Sequence, residues 1–147
     1  MLFELAPVVR MESSQRIPPS VVQTARYFLK AGEVVTRIAV LVSIVVAIFL
    51  AVHLAPIALR GALTFREVLE NLLFISLNLL WAGLTSIAMD KWYPASKFKP
   101  LGLLDLLAGA FTLISAPPAG ILFIVAGLLF YIAAEMISVF KIEEKLV

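Results

Sequence analysis

Residues 38–59 read IAVLVSIVVAIFLAVHLAPIAL, 22 residues without a formal charge. A helix needs about 20 mostly apolar residues to cross the roughly 30 Å hydrocarbon core of a bilayer. Three more stretches have this character. Residues 68–89 carry one charge, Glu70; residues 101–116 carry one, Asp105; residues 119–140 carry one, Glu135. The reading is an all-α integral membrane protein, a four-span bundle. The third stretch is short, about 24 Å long at 1.5 Å per residue, so it thins the bilayer locally or begins earlier, near Ser96. Pro117–Pro118 cannot sit in a helix interior and predicts a tight hairpin between spans three and four. The rival reading is a re-entrant hairpin, which requires its non-spanning backbone to be buried in protein.

Composition agrees. Of the 147 residues, 62% are hydrophobic and 15% charged, and the mean hydropathy is +1.03. Soluble domains have about 45–50% and 25% respectively. A disordered chain, a nucleic-acid module and an ordinary soluble enzyme are excluded. The length fits one domain. With no cysteine and one histidine, His53, disulfides, thiolate sites and multi-histidine metal or haem sites cannot be built from one chain. No cofactor is expected. There is no phosphate-binding glycine loop, no Ser–His–Asp set and no carboxylate–histidine cluster.

The region ahead of span one divides the chain into an N-terminal segment, residues 1–33, and a transmembrane domain, residues 34–147. Residues 1–9 are apolar but include Glu4 and lack the basic start of a secretory signal. Ser20 and Gln23 have capping-box spacing. Val21, Val22, Ala25, Phe28 and Leu29 then form one helical face, with Gln23, Arg26 and Lys30 on the other side. This predicts a short amphipathic helix on the membrane surface. Its alternatives are a helix packed on a partner subunit and an extension of span one.

Orientation follows from Lys and Arg in the flanks. Arg10, Arg16, Arg26, Lys30 and Arg37 precede span one, Lys91, Lys97 and Lys99 separate spans two and three, and Lys141 and Lys145 end the chain. Only Arg60 and Arg66 fall on the opposite side. Both termini are therefore expected in the cytoplasm of a multi-pass cell-membrane protein. Trp92 and Tyr93 beside Lys91 suit an aromatic belt there.

Each span carries a polar or small-residue stripe. Span two places Glu67, Glu70, Asn71, Asn78, Trp81 and Thr85 within about 100°. Span three aligns Asp105, Gly109, Thr112 and Ala116. Span four aligns Gly120, Gly127, Tyr131, Ala134 and Ser138, and span one Ala47, Ala51 and Ala55. Such registers let helices approach closely, so the stripes are expected to face inward.

The candidate intramembrane polar residues are Asp105, Asn78, Glu135, Glu70 and His53. Asp at a helix centre costs about 2.5–3.5 kcal/mol on insertion scales, so Asp105 needs a partner. Lys97, Lys99, Asn78 and Thr85 are the expected ones. Its functional reading is a protonatable carboxylate for ion or proton coupling; the alternative is a structural pair or a contact to another subunit. Glu135 is expected at the interface, near Lys141. Glu67 and Glu70 suit the start of span two through the helix dipole, with Arg66 pairing Glu70. His53 lies near the outer end of span one, turned away from the alanines and placed to meet a partner, headgroups or Glu70. Pro56 bends the helix just beyond it.

Short loops and sparse chemistry point to a non-catalytic accessory subunit of a multisubunit membrane complex, respiratory or transport. The alternative is a small oligomeric transporter or ion channel using its intramembrane carboxylates. The expected partners are the lipid bilayer and other membrane subunits, or further copies of the chain, with no nucleic acid.

Overall fold

The computed structural model describes residues 19–140. They form four helices: α1 Pro19–Leu59, α2 Phe65–Trp92, α3 Phe98–Ser115 and α4 Pro117–Phe140. All four are long and apolar enough to cross a membrane, and no strand occurs among the described residues. The expectations for residues 1–18 and for Lys141 and Lys145 lie outside them.

α1 is one uninterrupted helix of 41 residues, about 60 Å long. The separate surface helix expected before span one is therefore not a separate element. Its apolar face continues directly into the bundle seam: Ala25, Leu29, Gly32, Thr36, Ala39, Ser43 and Ala47 are all buried. From Ala25 to Ser43 these fall at alternating intervals of four and three, the knobs-into-holes period of packed helices, and a further step of four reaches Ala47. Ser20 lies inside the helix, and the Gln23 amide donates to Tyr27 Oη at 3.5 Å instead of closing a capping box.

Local signals end and start the helices. α1 closes on a Schellman motif, with Gly61 at φ +71°, Gly61 N–H donating to Ala58 C=O and Ala62 N–H to Ile57 C=O. α2 opens on a full capping box between Thr64 and Glu67. Arg66 pairs with Glu70 at 2.8 Å, as the spacing predicts. Ala116 alone joins α3 to α4, which is the tight hairpin expected at Pro117–Pro118. The two prolines bring no N–H to the start of α4, and Gly120 N–H donates to Ala116 C=O at 2.9 Å. Few orphan donors are left at this end, which suits an apolar setting.

Neighbouring helices pack in the ring order α1–α2–α3–α4 and back to α1, so α1 and α3 stand on a diagonal. The α3–α4 pair is the tightest. Gly102 and Gly109 of α3 oppose Gly127 and Gly120 of α4. A Cβ on Gly102 would lie 2.9 Å from Gly127 O, and one on Gly120 would lie 2.5 Å from Leu113 Cα. The backbones thus approach as closely as glycine permits. The rest of the predicted α4 stripe shifts: Tyr131 and Ala134 are half-buried and Ser138 is exposed, because Phe130, Ala133 and Ile137 fill the core there.

The two hairpins differ in reach. Thr36 and Asp105 bond across the diagonal at an offset of 69 residues, and Ala39 and Ala108, at the same offset, share one core cluster. That register sets Ala47 level with Ala116, the tip of the α3–α4 hairpin; both are buried. Beyond it, α1 and α2 continue alone as an arm, residues 48–59 and 65–77, in which no side chain is buried. Ala51 and Ala55 are therefore exposed, whereas Ala47 of the same stripe is not.

Candidate functional site

The bundle axis holds a seam of polar side chains that three helices supply. Thr36 and Ser43 come from α1, seven residues apart. Asp105 and Thr112 come from α3, also seven apart. Asn78 and Thr85 come from α2, again seven apart. Two helical turns separate the members of each pair, so each pair keeps one face. All six are buried, and α4 closes the seam with Phe123, Ala126 and Phe130.

Within the seam, two hydrogen bonds join different helices. Thr36 Oγ1–H donates to Asp105 Oδ2 at 2.6 Å. Ser115 Oγ–H donates to Asn78 Oδ1 at 2.7 Å. Thr85 and Thr112 instead turn their hydroxyls back to the Trp81 and Ala108 carbonyls of their own helices, at 2.8 and 2.7 Å. Among the described residues, four buried polar side-chain atoms have no protein partner: Asp105 Oδ1, Ser43 Oγ, Trp81 Nε1 and Asn78 Nδ2. Asp105 and Ser115 lie ten residues apart on one helix, so the two crossing bonds are about 15 Å apart along the axis.

The seam connects to a cleft. Thr36, Arg37, Val40, Ser86 and Met89 line a cavity of about 150 Å³ between α1 and α2. Its rim is charged: Arg37 Nη2 lies 3.9 Å from Asp90 Oδ1 and Arg37 Nε 3.4 Å from Glu33 Oε1. Thr36 belongs both to this cleft and to the bond that holds Asp105.

Of the five candidates read from sequence, the structure gathers Asp105 and Asn78 into one core and leaves three outside it. Glu135 pairs with Lys99 at 3.3 Å near the end of the bundle. Glu70 is exposed beside Arg66. His53 is exposed on the arm, its ring stacked on Phe49 at 5.7 Å between centroids. Glu70 is thus engaged by Arg66, not by His53.

The expected partners of Asp105 are replaced by Thr36. Lys99 lies outside the core, against Glu135 and over the Tyr131 ring. Thr85 is occupied by its own backbone, and Asn78 pairs nearer the hairpin tip. Thr36 escapes a hydropathy reading because it precedes residue 38, ahead of Arg37. The signal that does find it is the four–three spacing of residues from Ala25 to Ala47. Among the described residues, no three carboxylate or histidine side chains converge as a metal site would require.

A comparison with known proteins finds no matching family, no similar curated protein and no similar solved structure.

Proposed function

We propose that this chain is a non-catalytic subunit of a larger membrane assembly, docking through the α1–α2 arm. The observation that carries the reading is the arm itself: two helices continue past the bundle without a third to cover them. Between Ala51, Ala55 and Ala58 on α1 and Val68, Leu72 and Ile75 on α2 lies an apolar groove of about 230 Å³. Small residues on one wall suit close approach by another apolar helix. His53 supports this, since an imidazole on an otherwise apolar surface gains from a hydrogen-bond partner that another subunit can bring. The scattering of Glu70, Glu135 and His53 over separate parts of the molecule supports a non-catalytic role.

In this reading the protein lies in the cell membrane with both termini in the cytoplasm, on the side of Arg26, Lys30, Arg37, Lys91, Lys97 and Lys99. The first turns of α1 ride at headgroup level with their basic residues outward. The test is assembly size in mild detergent. Wild type should migrate with stoichiometric membrane partners. Ala55→Trp, which fills the groove, should release it, and Ile114→Trp on the exposed side of α3 should not. A stable wild-type monomer, or equal behaviour of the two variants, overturns the proposal.

A second reading, a small transporter or channel, is favoured by a different observation: the buried Asp105 and the unpartnered polar atoms along its seam. Net ion flux in vesicles holding the purified protein, abolished by Asp105→Asn in a folded protein, would support it.

A further inference from the structure

The α1–α2 cleft and the Thr36–Asp105 bond have a joint consequence. Thr36 lines the cleft beside the exposed Arg37, whose guanidinium pairs with the exposed Asp90. The Thr36 hydroxyl hydrogen already points at Asp105 Oδ2, while its oxygen lone pairs remain available to a water molecule in the cleft. At about 150 Å³ the cavity has room for several waters, and Ser86 and Arg37 give them polar partners. Asp105 Oδ1, the other carboxylate oxygen, is buried without a partner. Asp105 itself is fully buried, and Thr36 both bonds it and lines the cleft.

We infer that the cleft is a one-sided aqueous access path, and that Asp105 is a proton-binding site loaded from the Arg37–Asp90 end through the Thr36 hydroxyl. The step balances without any other reactant. A hydronium in the cleft gives a proton to Thr36 Oγ1 as Thr36 passes its own hydroxyl proton to Asp105 Oδ2. Water, a neutral carboxyl and an intact hydroxyl result, and release is the reverse. The ligand is the proton itself, carried by water. A proton needs no gap beyond Thr36, because the hydroxyl is the link.

The charged groups toward this end of the surrounding elements are Arg26, Lys30, Glu33 and Arg37 of α1, Asp90 and Lys91 of α2, Lys97 just ahead of α3, Lys99 on it, and Glu135 of α4. None of them is buried, and Tyr93 and Tyr131 are half-buried. Asp105 is therefore the one carboxylate in the buried seam among the described residues. In the other direction the seam continues to Ser43 Oγ, Trp81 Nε1 and Asn78 Nδ2, which also lack protein partners. Ala116 and the proline pair close it at the hairpin tip. The inference deepens the transport reading and rests on it for the site's use, but not for its existence.

The protein has no cysteine, so single-cysteine probes report on one position. In the full chain reconstituted in lipid vesicles, Ser86→Cys should react with a membrane-impermeant charged maleimide from the side on which Asp90→Cys reacts, and not from the other. An acid jump on that same side should produce an infrared carboxyl difference band that Asp105→Asn lacks. Blocking the cleft with Val40→Trp or Ser86→Trp should slow the band's rise at least about tenfold, a barrier increase of about 1.4 kcal/mol. Thr36→Val should slow it likewise, and Thr36→Ser should restore it. The inference is overturned if Ser86→Cys is inert while Asp90→Cys reacts, if the band persists in Asp105→Asn, or if folded cleft-blocked variants respond as fast as wild type. Flux in the same vesicles is scored separately: exchange without net flux removes the transport reading and leaves the proton site standing.

Discussion

Thr36 Oγ1 donates to Asp105 Oδ2 at 2.6 Å across the diagonal of the bundle, joining two helices that are not neighbours in the ring. α1 packs chiefly on α2 and α4, and α3 chiefly on α4 and α2. A bond between diagonal helices ties the α1–α2 hairpin to the α3–α4 hairpin. Satisfying a buried carboxylate in this way couples stability to correct assembly of the core.

Removing the donor should therefore be costly. Thr36→Val keeps the shape but leaves the carboxyl group with no partner on either oxygen, and hydrogen bonds to such groups contribute about 1.5–3 kcal/mol. Thr36→Ser keeps the hydroxyl and gives up one methyl group, about 0.8 kcal/mol if fully buried. Reversible unfolding in mixed detergent micelles should place Val well below Ser. The reverse order would mean that the bond does not stabilise the fold.

The glycine seam allows a paired experiment. Gly109→Ala puts a Cβ 2.5 Å from Ile124 Cγ1 and 2.9 Å from Gly120 O, and Gly120→Ala puts one 2.5 Å from Leu113 Cα. Backbone cannot yield as a flexible side chain can, so overpacking of about 1–3 kcal/mol is expected for each. Gly83 lies on the exposed side of α2, and a Cβ there meets nothing within 4 Å. Gly83→Ala should instead stabilise, by up to about 1 kcal/mol of helix propensity. Unfolding midpoints of the three variants check this directly.

Residues 38–59, 68–89, 101–116 and 119–140 each match a helix or part of one, with only Ala116 falling outside, because length and hydropathy alone define such elements. The start of α2 near Glu67 and the break at Pro117 were also legible, since helix-dipole acids and prolines act locally, although the capping box expected at Ser20 and Gln23 did not form. The length of α1 was not. A drop in hydropathy marks where a chain leaves an apolar phase, but it does not end a helix, and residues 19–37 contain no breaker once Pro19 has opened the first turn. Placing Asp105 in the core was legible from its stripe; its partner was not, because Thr36 sits in the part of α1 that hydropathy excludes. The stagger between the two hairpins was hidden as well. It depends on which rung of α1 meets which rung of α3, and only the glycine-tight α3–α4 pairing and the diagonal bond decide that.

Tyr93 offers a measurement outside the spans. Burial pushes its phenol above the ordinary value, and the nearby Glu33 carboxylate pushes in the same direction. The Phe98 and Phe130 rings meet it edge-on at 5.6 and 6.2 Å. A group whose folded value is raised adds stability that is complete below the unfolded value, about 10 for tyrosine. That contribution is lost as pH rises from there through the folded value. Wild-type stability should thus fall across this alkaline window, and Tyr93→Phe should flatten the fall. In absorbance titrations, the wild-type minus Tyr93→Phe difference should have its midpoint above about 10. A midpoint at or below that value contradicts the burial argument.

Asn78 and Ser115 should respond unequally to substitution. The Ser115 hydroxyl donates to Asn78 Oδ1 at 2.7 Å and has a second acceptor, Thr112 C=O, at 3.5 Å. Asn78 has no such reserve. Its Nδ2 is already buried without a partner, and Ser115→Ala would strip Oδ1 as well. A wholly unsatisfied buried amide costs about 1–3 kcal/mol. Asn78→Leu instead removes the amide at nearly constant volume, and Ser115 turns to its own backbone. Ser115→Ala should therefore destabilise more than Asn78→Leu, although it deletes one atom and the other replaces a polar group at the core. Unfolding in mixed micelles, with the double variant closing the cycle, tests this. If Asn78→Leu proves the more damaging, the amide has partners along the seam that the protein alone does not supply, and ordered water in the seam becomes the next quantity to measure.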